Sequence, residues 1–146
     1  MRILLIEDDD MQEDWINSEL EPCFRTKVEK IYTEFDFRKK IDQLVSVPPD
    51  VFVIDIMLPW TEVGESDEER PHDVKEGGKF LAGFRCVKLL AEHEETRNIP
   101  VILYSAMAKG DLEDELRDLP PHVKFIPKDS IIEPLIDAIR EMVPRR

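Results

Sequence analysis

Apolar residues are arranged in short continuous runs that indicate buried strands. Four such runs, each ending at or beside a polar residue, lie at residues 2–6, 51–54, 101–105 and 123–127. Runs of this length that are rich in β-branched residues are typical of parallel strands covered on both faces. A fifth segment, residues 26–32, alternates apolar and polar positions, which favours a strand at or near a sheet edge. Pro127 favours an edge position for the last strand, because proline cannot donate a ladder hydrogen bond.

Between these strands, apolar residues recur at the spacing of amphipathic helices. Helices are predicted at residues 11–20, ended by Pro22, and at 35–45, 80–95, 111–119 and 130–143. The last begins with Ser130-Ile131-Ile132-Glu133, a capping-box pattern that satisfies free backbone N–H groups. In the helix at 80–95, one apolar face is predicted to comprise Phe80, Leu81, Phe84, Val87, Leu90 and Ala91.

Five strands alternating with five helices predict an α/β fold. The expected architecture is a doubly wound parallel sheet with right-handed crossovers. A length of 146 residues suits one domain with a substantial core.

Residues 61–78 interrupt the alternation. They contain seven acidic and two basic residues, a net charge of −5, and almost no apolar residue. Such a segment buries too little apolar surface to order itself strongly, so it is predicted to be a long acidic loop, and long loops are often functional. Trp60, just before it, is expected to pack over the base of the loop or, alternatively, to anchor a partner.

The overall charge narrows the classes of partner. A net charge of −13 argues against non-specific binding to nucleic acid and to anionic membrane surfaces. No apolar run approaches membrane-spanning length, and the N-terminus does not resemble a signal peptide. Cys23 and Cys86 are isolated, which favours a reduced, cytoplasmic setting.

Polar residues follow four of the predicted strands. Glu7 and Asp8 follow the first, Asp55 the third, Ser105 ends the fourth and Lys128 follows the fifth. Parallel strands end at the same edge of a sheet, where ligands bind in open α/β folds. Clustered carboxylates suit Mg²⁺, and a carboxylate beside Mg²⁺ can act as a nucleophile toward phosphorus. A lysine and a hydroxyl opposite would hold the phosphoryl oxygens.

Together, these motifs resemble a two-component response-regulator receiver domain. The resemblance covers residues 2–143 and is carried by Ile-Glu-Asp-Asp at 6–9, Asp-Ile-Met-Leu-Pro at 55–59, Tyr-Ser-Ala at 104–106 and Ile-Pro-Lys at 126–128. It implies a flavodoxin-like sheet of order 2-1-3-4-5. It also implies a single receiver domain over residues 1–146, with an acidic insertion at about 60–78 and no output domain.

The family's functional residues transfer position by position. The resemblance implies Asp55 as phosphoacceptor, Asp8 and Glu7 with the backbone carbonyl of Met57 as Mg²⁺ ligands, Ser105 and Phe125 as switch residues, and Lys128 as the conserved-type lysine. The implied function is a cytoplasmic phosphorelay switch and not an enzyme. Its phosphoryl donor would be a sensor histidine kinase or a histidine phosphotransfer protein. Its target would be an unidentified protein, with a homodimer possible.

One departure from the family keeps an alternative open. Asp129 follows Lys128 where the family has a cis-proline, so a trans bond and a differently shaped turn are expected. Asp129 could compete for the charge of Lys128. With the acidic loop, it motivates a degenerate receiver that binds proteins without phosphorylation. An aspartyl-nucleophile phosphohydrolase is disfavoured, since its general acid would stand at position 57, which is Met57.

Overall fold

The computed structural model describes residues 1–62 and 70–145, and these form a doubly wound α/β sandwich. Its five parallel strands follow the order β2-β1-β3-β4-β5, as the resemblance implied. The strands are β1 (Ile3–Ile6), β2 (Val28–Ile31), β3 (Val51–Ile54), β4 (Val101–Ser105) and β5 (Val123–Pro127).

Burial along the strands follows their positions in the sheet. Every residue of β1, β3 and β4 is buried, because helices cover both faces of these central strands. The edge strands β2 and β5 include partly or fully exposed residues. The predictions that the second strand and Pro127 lie at sheet edges are confirmed.

Seven α-helices are described, where five were predicted. The predicted helix at 35–45 divides at Lys40, and a short helix forms within the acidic insertion. The insertion's residues 63–69 lie outside the described residues. The helices are α1 (Asp10–Phe24), α2 (Glu34–Lys39), α3 (Ile41–Ser46), α4 (His72–Gly77), α5 (Ala82–Ala91), α6 (Glu113–Arg117) and α7 (Glu133–Met142).

Two predicted helix boundaries are wrong. Helix α1 continues past Pro22 to Phe24. Proline lacks a backbone N–H, so only the Ser18 carbonyl loses its helical donor. The helix is capped by Arg25, whose backbone lies in the left-handed region (φ 52°). Helix α7 has Ile132 at its N-cap and no capping side chain, so the capping box does not form. Ser130 instead donates its backbone N–H and its hydroxyl to Asp129 Oδ1.

The predicted apolar face of α5 is also only partly buried. Phe80 is 54% exposed, Ala91 is exposed, and Leu81 and Phe84 are half-buried. The buried side of the helix also includes Ala82, Gly83, Arg85 and Cys86. Helix α5 lies so close to the end of β3 that a Cβ on Gly83 would lie 2.7 Å from the Asp55 carbonyl oxygen.

The core consists of an apolar cluster on each face of the sheet. Leu4, Phe52 and Leu103 belong to the cluster beneath α2, α3 and α5, while Leu5 and Ile102 belong to the one beneath α1 and α7. Within the described residues, no helix has the length and apolar character needed to cross a bilayer.

Trp60 packs at the base of the insertion, as the first of its two interpretations expected. It is 7% exposed, and its ring makes an edge contact with Phe35 at a centroid distance of 5.3 Å. The Arg38 guanidinium lies 5.6 Å from the ring centroid. The loop therefore leaves the sheet over a fixed aromatic and cationic support.

Candidate functional site

The carboxyl ends of β1 and β3 place three acidic residues together. Ile6 and Ile54 are paired in register, so Glu7 and Asp55 leave the sheet side by side. The Asp55 N–H donates to the Ile6 carbonyl at 2.9 Å, which holds this register through the site. Carboxylate oxygens of Glu7, Asp8 and Asp55 all lie within 4.8 Å of one another.

Lys128 reaches this cluster from the end of β5. Its Nζ donates to Glu7 Oε2 and, at 2.9 Å, to Asp55 Oδ2. Its backbone N–H donates to the Ser105 carbonyl at 2.8 Å, which ties the lysine to the end of β4. Four strand ends therefore converge, as the sequence predicted.

The cluster's charges are strongly perturbed. Burial, followed by repulsion from Asp55, raises the pKa of Glu7 to about 7. The Lys128 cation opposes this shift, because it favours the charged form of Glu7. Burial also raises the pKa of Asp8, with Asp55 adding to the shift. For Lys128, burial favours the neutral form, but Asp55 and Glu7 overcome it and raise the pKa, so the lysine stays charged. One cation thus faces three acidic groups.

The donor set fits a hard divalent cation. Mg²⁺ binds carboxylate and carbonyl oxygens and keeps part of its shell for water or phosphate. Glu7 and Asp55 are buried, whereas Asp8 is exposed and leaves the cluster open to solvent. The Met57 N–H donates to Asp55 Oδ1 at 3.2 Å, which fixes the carboxylate's orientation.

The remaining predicted residues lie around the same edge. Ser105 is 1% exposed, and its Oγ accepts the Met107 N–H at 3.3 Å. Phe125 is half-buried against the apolar cluster that contains Leu103. Asp129 accepts from Ser130, while the Lys128 ammonium contacts Glu7 and Asp55. The described residues contain no cis peptide bond, as expected for the bond after Lys128.

Sequence reasoning missed a buried ion-pair network beside the site. Arg85 donates from Nε and Nη2 to the two oxygens of Glu34 at 2.8 and 2.6 Å, with Glu34 fully buried. Arg38 bridges Glu34 at 3.0 Å to Asp73 at 2.9 Å, joining α2 to α4. The available signal was a lone arginine next to the apolar positions of α5.

Gly83 was also missed. Its N–H donates to the Ile56 carbonyl at 2.9 Å, and a Cβ there would lie 2.7 Å from the Ile56 Cα as well as from the Asp55 oxygen. Helix α5 therefore begins directly against the segment that carries Asp55. A single glycine in a helical pattern gave no sign of this contact.

Comparisons with known proteins identify the fold. No family model matches the chain, and no curated protein matches it by sequence. Among solved structures, the receiver domain of a sensor histidine kinase from Pseudomonas aeruginosa, with a magnesium ion coordinated in its active-site cleft, superposes with a TM-score of 0.68. It is 18% identical, over 97% of this chain and 95% of its own. The chain has the receiver-domain fold.

Two further receiver structures show the same similarity. The signal receiver domain of a DNA-binding response regulator from Colwellia psychrerythraea is 24% identical, with a TM-score of 0.66 over 97% of both chains. A phosphorylated cyanobacterial phytochrome response regulator is 18% identical, with a TM-score of 0.67 over 97% of this chain and 89% of its own. The receiver fold thus accounts for nearly the whole length of this chain.

Proposed function

We propose that this receiver domain is a signalling switch that accepts a phosphoryl group on Asp55 from the phosphohistidine of a sensor kinase or histidine phosphotransfer protein. The single observation that carries the proposal is the convergence of Glu7, Asp8, Asp55 and Lys128 within one cluster. Three acids and one lysine provide a nucleophile, a cation site and a phosphate-binding charge.

Asp8 and Glu7, with Asp55 and the Met57 carbonyl, would hold Mg²⁺. When bound, Mg²⁺ supplies neutralisation of the charge on the carboxylates and on the incoming phosphoryl oxygens. Burial, followed by repulsion from Asp55, raises the pKa of Glu7 to about 7, and such a cation would relieve the repulsion. A histidine kinase receiver with coordinated magnesium and this same fold supports the assignment.

The chain's own groups carry the transfer. An Asp55 carboxylate oxygen attacks phosphorus in line with the N–P bond of phosphohistidine. That bond breaks, its electron pair stays on the imidazole nitrogen, and the nitrogen takes a proton from solvent. Lys128, kept charged by its acidic neighbours, pairs with a phosphoryl oxygen in the product.

Ser105 would report the product to the rest of the fold. Its hydroxyl, which accepts the Met107 N–H here, can donate its own O–H to a phosphoryl oxygen, drawing the β4–α6 loop toward Asp55. Phe125 would then repack on the face formed by α6, β5 and α7, where a downstream protein reads the state. Because Met57 cannot serve as a general acid, the chain acts as a stoichiometric acceptor and not as a turnover phosphohydrolase.

Phosphoramidate tests the proposal without knowledge of the cognate kinase, because its P–N bond resembles that of phosphohistidine. With Mg²⁺, the protein should acquire one phosphoryl group, seen as a retarded band on phosphate-affinity electrophoresis, and chelator should abolish it. Asp55→Asn should remain unlabelled, while the matched change Asp10→Asn, at an exposed acid nearby, should label normally. Equal labelling of the two variants would refute Asp55 as acceptor.

A further inference from the structure

Helices α5 and α6 border an open groove that the phosphorylation chemistry does not use. Its volume is about 740 Å³, in the range of ligand-binding clefts. The floor is apolar and comprises Leu81, Phe84, Val87, Ala91 and Leu119. Phe84, Val87 and Ala91 belong to α5, and Val87 also contributes to the core.

The rim of the groove is acidic on both sides. Helix α4 contributes Asp73 and Glu76 on one side, and the α6 region contributes Asp114, Glu115 and Asp118 on the other. Lys88 is the one exposed base among the lining residues, since Arg85 is buried and paired with Glu34. Asp73 is held by Arg38, Glu76 contacts the His72 imidazole, and Asp114 lies 3.4 Å from Arg117. Glu115 and Asp118 complete the five acids of the rim.

These charges select the occupant. An anionic membrane, a nucleic acid or a second copy of this chain, with its net charge of −13, would place negative charge against the acidic rim. A basic segment would satisfy the rim and cover the apolar floor at once. We propose that this groove receives an amphipathic helix of a partner protein, with apolar residues on one face and lysines or arginines along both flanks.

The shape of the groove favours a helix as the bound form. Residues 81, 84, 88 and 91 form one row along α5 at three- and four-residue intervals, so the groove runs along the helix. Helix α5 has ten residues, about 15 Å, which matches roughly three turns of a partner helix. Such helices dock through apolar anchors at positions i, i+3, i+4 and i+7.

The docking proposal does not require phosphorylation at Asp55, and α6 is the element that the groove shares with the face of the proposed switch. The groove is formed by the outward side of α5 and by α6, whereas the acidic cluster lies at the carboxyl edge of the sheet. The acidic rim of the groove includes residues of α4, the helix within the acidic insertion. Docking can therefore be measured in the unphosphorylated protein.

The probe is a synthetic peptide of about 18 residues with leucines at helical anchor positions and lysines elsewhere. The full chain, labelled with ¹⁵N, is titrated with it. We expect amide shifts concentrated in α5, α6 and α4, and weaker binding of a scrambled peptide of the same composition. Shifts centred elsewhere, or equal affinity for the scrambled peptide, would overturn the proposal.

Substitutions separate the groove from general attraction to an acidic protein. Ala91→Glu places a charge on the floor, and Asp114→Lys/Asp118→Lys reverses part of the rim, all at exposed positions. Both should weaken binding about tenfold. The matched control Asp14→Lys/Asp42→Lys makes the same charge change at exposed positions outside the groove and should alter affinity no more than about twofold.

Two outcomes would contradict the proposal even if the peptide binds. Equal weakening by the rim variant and by the control would assign binding to net charge alone. Sedimentation equilibrium without peptide measures self-association. If Ala91→Glu lowers the self-association constant, the groove would be assigned to a second copy of the chain. Amide spectra of each variant establish that it is folded before affinities are compared.

Discussion

At the scale of single residues, Glu7 is an acid of the site whose pKa the fold raises strongly, to about 7. Burial raises the pKa of Glu7 most, Asp55 raises it further, and Lys128 lowers it. An acid with a raised pKa in the folded state binds more protons there than when unfolded, between its ordinary pKa of 4.5 and about 7. The Glu7 contribution to stability is therefore present at low pH and lost as pH rises through this window.

We predict that Glu7→Gln removes this pH dependence. In chelator, the free energy of unfolding of the variant should gain on that of the wild type as pH rises from 5 to 8. Urea denaturation of both proteins at several pH values measures the difference between their free energies of unfolding. Taking this difference removes the contributions of the titrating groups that both proteins share. A difference that stays constant with pH, or falls, would contradict the burial of an uncompensated carboxylate.

Residue identities at strand ends could be predicted because a parallel sheet leaves few places for them. Once the apolar runs were recognised as parallel strands, Glu7, Asp8, Asp55 and Lys128 had to share an edge. The partners of Glu34 could not be predicted in this way. Its contact with Arg85 spans 51 positions, and no periodicity encodes which two charged side chains meet in a core.

At the scale of elements, the Glu34–Arg85 pair joins α2 to α5 beneath the insertion. Glu34 is fully buried, and replacing it by glutamine leaves Arg85 without its counter-charge and Arg38 with Asp73 alone. Glu34→Gln should lower the free energy of unfolding by about 3–5 kcal/mol. Chemical denaturation measures the loss.

Glu29 offers a matched control for that prediction. It also makes a two-fold contact with an arginine, Arg2, but its side chain is 44% exposed. Glu29→Gln should cost no more than about 1 kcal/mol, because exposed ion pairs are weak. Equal losses for Glu34→Gln and Glu29→Gln would mean that the buried network does not stabilise the docking of α5.

Gly83 sets the distance between α5 and the end of β3. In Gly83→Ala, the new Cβ would meet the Asp55 carbonyl oxygen at 2.7 Å, so α5 must move away. We expect a destabilisation of about 1–3 kcal/mol and slower labelling of Asp55, since its backbone is the other contact surface. Gly110→Ala, at an open position, should leave labelling unchanged. If Gly83→Ala behaved like Gly110→Ala, the contact would have no functional importance.

Elements were predicted well where burial defines them and less well where local chemistry does. The strands followed from apolar runs, and the edge positions of β2 and β5 from alternation and from Pro127. The break at Lys40 and the failure of Ser130 to cap α7 depend on tertiary packing and on the competing bond to Asp129. The orientation of α5 depends on Gly83, whose contact partner is distant in sequence.

At the scale of the whole molecule, the acidic cluster stores repulsion that a bound cation would relieve. Mg²⁺ should therefore raise the free energy of unfolding, by about 2.7 kcal/mol at a concentration one hundred times its dissociation constant. Thermal denaturation with and without Mg²⁺ measures this shift. Asp8→Asn should reduce it strongly, whereas Asp10→Asn, one of the acids outside the cluster, should not. An equal shift in both variants would indicate general screening and not a site.

The most direct test of the account identifies the residue that carries the phosphoryl group. The protein is incubated with acetyl phosphate and Mg²⁺ and then with borohydride, which reduces an aspartyl phosphate to homoserine, and the product is mapped by peptide mass spectrometry. Homoserine should form at position 55 and nowhere else, and none should form in chelator. Homoserine at another acid, or an unmodified chain with Mg²⁺ present, would contradict it.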